Sequence, residues 1–285
     1  MSPSSKIFSS VDVLESLPAM PQIAQQILSI NLATDDGNAK LLKLVQQDPS
    51  ISARIIGLAN SPLFGTSRKI MSASDATTVL GIKRIKMVAL SFAMISSMTR
   101  NPPGLLNVTH LWQHSMAVAL AMDTLSKAMP REMRQPDEDV YLSGLLHDIG
   151  FLVLEHIDPE LSNRFHQRIA TEKELEASEI EAEMLEISHC ELGALLACHW
   201  NLAEAIVTVI RHHHSNEVPA NSVGKTLTAM TYIAEKLLPT FGMSEAMPAD
   251  ISIEVWQSLG ITENKVANVE AAMRKRAEEV IAAVQ

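Results

Sequence analysis

Apolar residues recur every three or four positions along most of the chain, which is the spacing that places them on one face of an α-helix. One such face, over residues 41–45, stops at Asp48-Pro49. Asp48 is a typical N-cap and Pro49 a typical first helical residue, so a new helix is predicted to begin there. No segment stands out for the strict apolar–polar alternation of a half-buried strand. The pattern therefore predicts an all-α protein.

A Pro-Pro-Gly break at residues 101–104 interrupts this periodicity. Before the break, a long helix is predicted from a cap at Ser74 or Asp75 to about residue 98. We place the boundary at the break, between an N-terminal helical unit, residues 1–103, and a second helical unit, residues 104–285.

The second unit is again periodic. A helix is predicted over residues 111–129, and another from Asp137 or Asp139 to Gly150, because glycine is favoured just beyond a helix end. Residues 171–186 alternate glutamate with alanine and isoleucine, which is typical of a solvated helix. Residues 239–262 predict a looser stretch. Further helices are predicted over residues 192–200, 203–212, 226–238 and 266–284.

Composition favours packed helices in a reduced, cytoplasmic protein. Hydrophobic residues make up 47% of the chain, aromatic residues only 4%, and there are 15 methionines, which favours helices over a β-sandwich. Cys190 and Cys198 lie in one predicted helix about 12 Å apart, too far for a disulfide. We interpret both as ordinary core thiols of a reduced protein. The longest run without charged residues, 101–122, contains prolines and histidines, so no membrane partner is expected.

The net charge of −10 is unevenly distributed. Residues 1–100 hold 10 basic and 6 acidic side chains, whereas residues 101–285 hold 13 and 27. The acidic second unit disfavours nucleic acid as a partner. A short basic run at Lys83, Arg84 and Lys86 is interpreted as a solvated helix face, and a nucleic-acid-binding regulator acting through it is the least favoured hypothesis.

All ten histidines lie between His110 and His214, which points to a chemical site confined to the second unit. The focal pair is His147-Asp148, which offers a nitrogen and a carboxylate oxygen from neighbouring positions. Adjacent side chains diverge by about 100° on a helix, so both reach one metal only near a helix end. Further candidate ligands lie on other predicted helices, before and after this pair. In chain order they are His114, His189, His213, His214 and Glu235.

Such nitrogen and oxygen ligands suit one or two divalent ions, with Fe, Mn, Zn or Mg as candidates. Two close metals would suit phosphoester chemistry. The alternative for the triplet at residues 212–214 is a solvated helix C-terminus, where the helix dipole stabilises cationic side chains. The remaining histidines are interpreted as structural or exposed.

Several motifs, in this order, resemble those of the HDOD family, an output domain related to the HD metal-dependent phosphohydrolases. They are Leu-Pro-Ala-Met-Pro at 17–21, Asp-Pro-Ser-Ile-Ser-Ala-Arg-Ile-Ile at 48–56, Ala-Asn-Ser-Pro at 59–62, residues 76–81, Leu-Trp-Gln-His-Ser at 111–115, residues 144–150 and Ile-Arg-His-His-His at 210–214. The resemblance covers about residues 14–238. It implies an N-terminal helical unit packed on an HD-type bundle, in a bacterial protein of signalling and regulation.

By the same resemblance, the metal-ligand positions of the HD phosphohydrolases map onto the candidates named above. They are His114, His147, Asp148, His189, His213, His214 and Glu235. Asp148 would be the bridging or water-orienting carboxylate, and is therefore the candidate catalytic residue.

Three departures distinguish the chain from the related HD-GYP cyclic dinucleotide hydrolases. Phe151 stands where those enzymes carry a phosphate-contacting lysine, residues 215–219 lack their Gly-Tyr-Pro signature, and Glu235 replaces the usual aspartate. We therefore favour a non-catalytic signalling module that acts through a protein partner. The alternative is a metal-dependent phosphohydrolase with a nucleotide or cyclic nucleotide as its ligand.

Overall fold

The computed structural model describes residues 10–61, 64–65, 68–99, 104–172, 175, 177–215, 218–238 and 251–284. Within these ranges it contains sixteen α-helices, a 3₁₀ turn at Arg131–Met133, and no strand, so the all-α prediction is confirmed. The first six helices are α1 (Ser10–Ser16), α2 (Gln22–Leu28), α3 (Asp35–Gln47), α4 (Pro49–Ala59), α5 (Ala73–Leu80) and α6 (Ile82–Met98).

The remaining ten helices follow the Pro-Pro-Gly break. They are α7 (Val108–Ala128), α8 (Asp137–Leu146), α9 (Ile149–Ile157), α10 (Pro159–Thr171), α11 (Ala177–Met184), α12 (His189–His199), α13 (Glu204–His212), α14 (Lys225–Leu237), α15 (Ile253–Ser258) and α16 (Glu263–Val284). Of the stretch predicted to be looser, residues 239–250 lie outside the described residues, and α15 occupies part of the rest.

The helix start at Asp48-Pro49 is confirmed. The Asp48 carboxylate accepts hydrogen bonds from the backbone N–H groups of Ser50 and Ile51, at 2.9 and 3.0 Å. These bonds satisfy two of the four backbone donors that the first turn of a helix leaves without partners. Pro49 occupies the first turn of α4, where its missing N–H costs nothing.

The single long helix predicted over residues 74–98 is wrong, because Gly81 divides it into α5 and α6. Gly81 has a φ of +76°, a conformation that L residues rarely adopt and that interrupts the helical hydrogen bonds. The cap also lies two residues earlier than the nearer of the two predicted positions. The Ser72 hydroxyl accepts the backbone N–H of Asp75 at 3.0 Å.

The predicted helix ending at Gly150 is also wrong. α8 ends at Leu146 and α9 begins at Ile149, so Gly150 lies in the first turn of α9. A Cβ atom added at Gly150 would collide with the carbonyl oxygen of His189 on α12. Glycine is therefore needed here for the close approach of two helices, and it does not end one.

Two apolar clusters form the core, and α7 contributes side chains to both. The larger cluster runs from α1 to α13 and includes residues from both sides of the Pro-Pro-Gly break. The smaller one lies among α7, α14, α15 and α16. A hydrogen bond of 2.8 Å from the Trp200 indole to the Pro18 carbonyl also joins the two sides. Residues 101–103 lie outside the described residues, and the division into two units stays a prediction.

Two surface predictions are wrong. The acidic stretch 171–186 is not a uniformly solvated helix, because α11 buries Ala177, Ile180 and Glu181. The basic run is solvated only in part, because Lys83 is mostly exposed but Arg84 and Lys86 are not. The Lys86 ammonium donates to the Ile30 carbonyl at 2.9 Å and the side chain is buried.

The guanidinium of Arg84 in the same run pairs with Asp123 at 3.4 Å and lies over the ring of Tyr141. None of the described helices is by itself long and apolar enough to cross a bilayer, although α8 and α9, bent by 41° at their junction, reach that length and composition together.

Candidate metal centre

The structure brings all seven predicted site residues together where five segments that follow the Pro-Pro-Gly break meet. Their positions along the chain are different, but each places its polar atoms toward one buried centre. His114 lies on α7, His147 and Asp148 lie between α8 and α9, His189 begins α12, His213 and His214 follow α13, and Glu235 lies on α14.

The first half of this centre consists of His114, His147, Glu235 and one oxygen of Asp148. The Nε2 atoms of His114 and His147 each lie 3.0 Å from Glu235 Oε1. The same two nitrogens lie 3.5 and 3.1 Å from Asp148 Oδ2. They are 3.3 Å from each other. Two imidazole nitrogens and two carboxylate oxygens therefore face one point.

The second half consists of His189, His213, His214 and the other oxygen of Asp148. The Nε2 atom of His189 lies 3.4 Å from His213 Nε2 and 3.1 Å from His214 Nε2. Asp148 Oδ1 lies 3.6 Å from His189 Nε2 and 3.3 Å from His213 Nε2. Three nitrogens and one oxygen thus form a second cluster beside the first.

The Asp148 carboxylate joins the two halves, because Oδ2 faces the first and Oδ1 faces the second. The side chain is completely buried, and neither oxygen accepts a hydrogen bond of good geometry from the described residues. Glu235 Oε1 is buried in the same way. Buried carboxylate oxygens without hydrogen bonds are costly unless a cation compensates their charge. These residues therefore fit one or two divalent ions.

Three histidines are oriented by bonds on the far side of their rings. The Nδ1 atoms of His147 and His213 lie 2.9 Å from the carbonyl oxygens of Gly144 and Ile210, and a carbonyl can only accept. Nδ1 of each ring therefore carries a proton, and Nε2 is the nitrogen that faces the centre. Such outer hydrogen bonds fix the tautomer and orientation of metal-binding histidines.

Glu181 orients His189 in the same way, although it is not among the predicted site residues. Its Oε1 accepts from the ring Nδ1 of His189 at 2.7 Å and from the backbone N–H of His189 at 2.6 Å. The side chain is buried, although it belongs to the stretch predicted to be solvated. The only signal was a glutamate eight residues before a candidate ligand.

The charges of the centre are strongly coupled. Burial by itself would lower the pKa of His147, but the carboxylates of Asp148 and Glu235 raise it to about 9. Burial would raise the pKa of Asp148, but His147 and His213 hold it well below its usual range. Burial and the neighbouring His213 lower the pKa of His214. His114 and His147 likewise hold the pKa of Glu235 well below its usual range. Both carboxylates are thus ionised.

Phe151 covers one side of the second half. Its ring stacks on His189 with the ring centres 4.1 Å apart and the planes inclined by 13°. Its other neighbours are Phe165 and His166, and the Phe151 side chain is buried. Burial and the nearby His189 lower the pKa of His166 to about 4. An apolar ring therefore occupies the position for which the resemblance to the HD-GYP enzymes would imply a lysine.

The two cysteines are free, as the predicted spacing requires, but neither is an ordinary core residue. Cys198 is exposed. Cys190 is half-buried, with its Sγ 3.5 Å from His189 Nε2 and 3.9 Å from His213 Nδ1. Burial would raise the pKa of the Cys190 thiol, but the two histidines lower it to about 6.

The histidines outside the seven predicted ligands lie at the surface or beside Phe151. His110, His156 and His199 are exposed, while His166 is half-buried beside Phe151. In the triplet, His213 is completely buried and His214 contacts His189, so a solvated helix terminus does not describe these two.

Comparison with known proteins agrees with this fold. A curated relative, an uncharacterized protein of Treponema pallidum (strain Nichols), is 25% identical over 212 residues, and the match spans 72% of this chain but only 40% of the relative. A structure from Marinobacter aquaeolei VT8, provisionally described as a signal transduction protein, superposes with a TM-score of 0.78 at 23% identity, covering 99% of this chain and 62% of the other.

An HDOD domain protein with unknown function from Geobacter sulfurreducens superposes with a TM-score of 0.67 at 25% identity. The match covers 90% of this chain and 92% of that one. The sequence profile of the HDOD domain matches residues 17–216, which include six of the seven residues that converge on the buried centre. This chain therefore belongs to the HDOD domain family.

Proposed function

We propose that this chain is a bacterial signalling module that holds one or two divalent metal ions in its buried centre and acts through a protein partner without turning over a substrate. The supporting observation is the burial of the donor atoms. The side chains of His114, His147, Asp148, His189 and His213 are at most 3% exposed. Such a centre can hold an ion, but these groups offer a phosphoester little surface to approach.

The residues that would hold the ions follow from the two halves. His114, His147, Glu235 and Asp148 Oδ2 would hold one, and His189, His213, His214 and Asp148 Oδ1 the other. A bound divalent ion would supply the positive charge that compensates the carboxylates, and Lewis-acid chemistry if a substrate reached it. Phe151 reduces that access, because its ring lies against His189 where a charged lysine would contact phosphate.

A second candidate function is a metal-dependent phosphohydrolase acting on a nucleotide or cyclic nucleotide. The observation that favours it is the position of Asp148, whose two oxygens face the two halves. Paired metal sites sharing a ligand suit in-line displacement at phosphorus. In this reaction Asp148 would contribute one oxygen to each half, and the surrounding histidines would direct their Nε2 atoms toward the ions.

The first test is metal content, measured by inductively coupled plasma mass spectrometry on untagged protein purified anaerobically without chelator. We expect near-stoichiometric Fe, Mn or Zn in the native protein and its loss in Asp148→Ala. Asp137→Ala is the matched control, because Asp137 is exposed on α8 and lies away from the centre. Folded native protein without metal would contradict both candidate functions.

The second test separates the two candidates. Native protein loaded with Mn or Fe is assayed on phosphodiesters, nucleotides and cyclic nucleotides, and we expect no turnover. Turnover that disappears in Asp148→Ala would overturn the non-catalytic proposal in favour of the hydrolase. The partner is tested by capture from a bacterial lysate at near-native protein levels, where recovery of nothing above background would count against a protein partner.

A further inference from the structure

We propose that the Cys190 thiolate is a metal ligand of the second half, where it completes a sulfur-containing and closed coordination shell. This inference rests on the proposed metal binding. It adds a donor that the nitrogen and oxygen set of the sequence analysis does not contain.

The distances among four side chains carry the proposal. One donor atom each from His189, Cys190, His213 and His214 lie within 4.8 Å of one another. Four donors arranged tetrahedrally around an ion, with bonds of about 2.0–2.3 Å, lie about 3.3–3.8 Å apart. The separation between Cys190 Sγ and His189 Nε2 is 3.5 Å, and that between the Nε2 atoms of His189 and His213 is 3.4 Å.

The start of α12 places two neighbouring residues on the same centre. Ser188 is the N-cap, so His189 and Cys190 are the first two residues of the helix. Glu181 turns the His189 ring by bonding both its Nδ1 and its backbone N–H. With the ring held there, Cys190 Sγ lies 3.5 Å from His189 Nε2 and 4.0 Å from His213 Nε2.

The sulfur makes the two halves chemically different. The first half offers two nitrogens and two oxygens. The second offers three nitrogens and one thiolate sulfur as a tetrahedral set, with Asp148 Oδ1 beside it as a fifth donor. Thiolate ligands favour zinc and iron over magnesium. Sites whose protein ligands fill the coordination shell are typically structural, while catalytic zinc sites keep a position open. The second half therefore serves to hold its ion. The ion binds the deprotonated sulfur, so any proton that the thiol still carries is displaced to solvent.

Cobalt(II) provides a test with a readout other than activity. The native protein, Cys190→Ser and the matched control Cys198→Ser are loaded with cobalt(II), and the bound metal is counted. We expect thiolate-to-cobalt charge-transfer absorption in the near ultraviolet for the native protein and Cys198→Ser, and its loss in Cys190→Ser. The visible cobalt bands should remain in all three proteins.

Each other outcome overturns the inference in a distinguishable way. Visible cobalt bands without charge transfer in the native protein would exclude a thiolate ligand while leaving the proposed metal binding intact. Charge transfer that persists in Cys190→Ser would exclude Cys190. Native protein that binds no cobalt, iron, manganese or zinc would overturn the proposed metal binding together with the inference.

A second measurement needs no variant. The native protein is treated with iodoacetamide with and without bound zinc, and alkylation of each cysteine is followed by peptide mass spectrometry. We expect zinc to slow alkylation of Cys190 by at least about tenfold, since a ligated thiolate is not free to react. The rate at exposed Cys198 should not change, and equal rates at Cys190 would contradict the inference.

Discussion

Glu181 accepts two hydrogen bonds from His189, one from the ring Nδ1 at 2.7 Å and one from the backbone N–H at 2.6 Å. One buried carboxylate thus fixes both the ring and the first turn of α12. Because it also adds a negative charge next to the second half of the centre, it favours binding of a cation there.

We expect Glu181→Ala to weaken metal binding by about 10- to 100-fold, the usual effect of removing a group that orients a metal-binding histidine. Glu181→Gln keeps an acceptor without the charge and should lose less. Affinity is measured by competition with a chromophoric chelator. Glu183→Ala is the control, since that glutamate is mostly exposed on the same helix. Equal affinities for Glu181→Ala and the native protein would contradict this role.

Replacing Phe151 should destabilise the protein through lost packing. Phe151→Ala removes a buried ring that stacks on both His189 and Phe165, and we expect the free energy of unfolding to fall by about 3–5 kcal/mol. Phe151→Leu keeps much of the apolar volume and should lose less than half of that. Urea denaturation of the metal-free proteins measures both, and similar losses for the two variants would argue against a packing role.

A pair of glycine variants tests the close approach of α9 and α12. Gly150→Ala should destabilise the protein by more than about 2 kcal/mol, because the new Cβ collides with the His189 carbonyl and the helices must separate. Gly57→Ala should stabilise it by about 0.5–1 kcal/mol, because Gly57 lies within α4 and its Cβ would meet no atom within 4 Å. Thermal unfolding of both variants checks the opposite signs.

His166 should make the protein sensitive to mild acid. Burial lowers its folded-state pKa to about 4, below the unfolded value of 6.5, so the unfolded state takes up the proton first as the pH falls. The stabilisation is fully present above pH 6.5 and is lost as the pH approaches 4. We expect a loss of about 2 kcal/mol over this interval that is absent from His166→Gln.

The measurement for His166 is the urea midpoint of metal-free protein between pH 7 and pH 4, compared with each variant. His199→Gln serves as the control, because His199 is exposed near the end of α12. Parallel pH profiles for the native protein and His166→Gln would show that the proton is taken up elsewhere.

Local chemistry in the sequence is sufficient to predict that the chain is helical and where some helices begin. The Asp48-Pro49 start needs only the neighbouring backbone, and it is found as predicted. The convergence of the seven candidate ligands was also expected from their order, because a helical bundle can bring one residue from each helix to a common centre. That they bind metal stays a prediction.

Long-range contacts account for the errors. Gly150 has the residue type of a helix end, yet its role depends on the His189 carbonyl, which belongs to another helix. Glu181 lies in a stretch with the pattern of a solvated helix. Only the folded structure shows that its buried carboxylate accepts hydrogen bonds from His189. Cys190 was interpreted as a core thiol because helical spacing alone does not reveal that its sulfur faces the same cluster as His189.

The helix α12 connects two distant parts of the molecule. It begins at His189, in the second half of the metal centre, and the residue after its end, Trp200, donates its indole proton to the carbonyl of Pro18 near α1. Eleven helical residues span about 16 Å and form a stiff rod. A shift of His189 when an ion enters or leaves would therefore move the Trp200–Pro18 contact. The position of the N-terminal helices would then depend on whether the centre holds an ion, although these helices contribute no ligand to it.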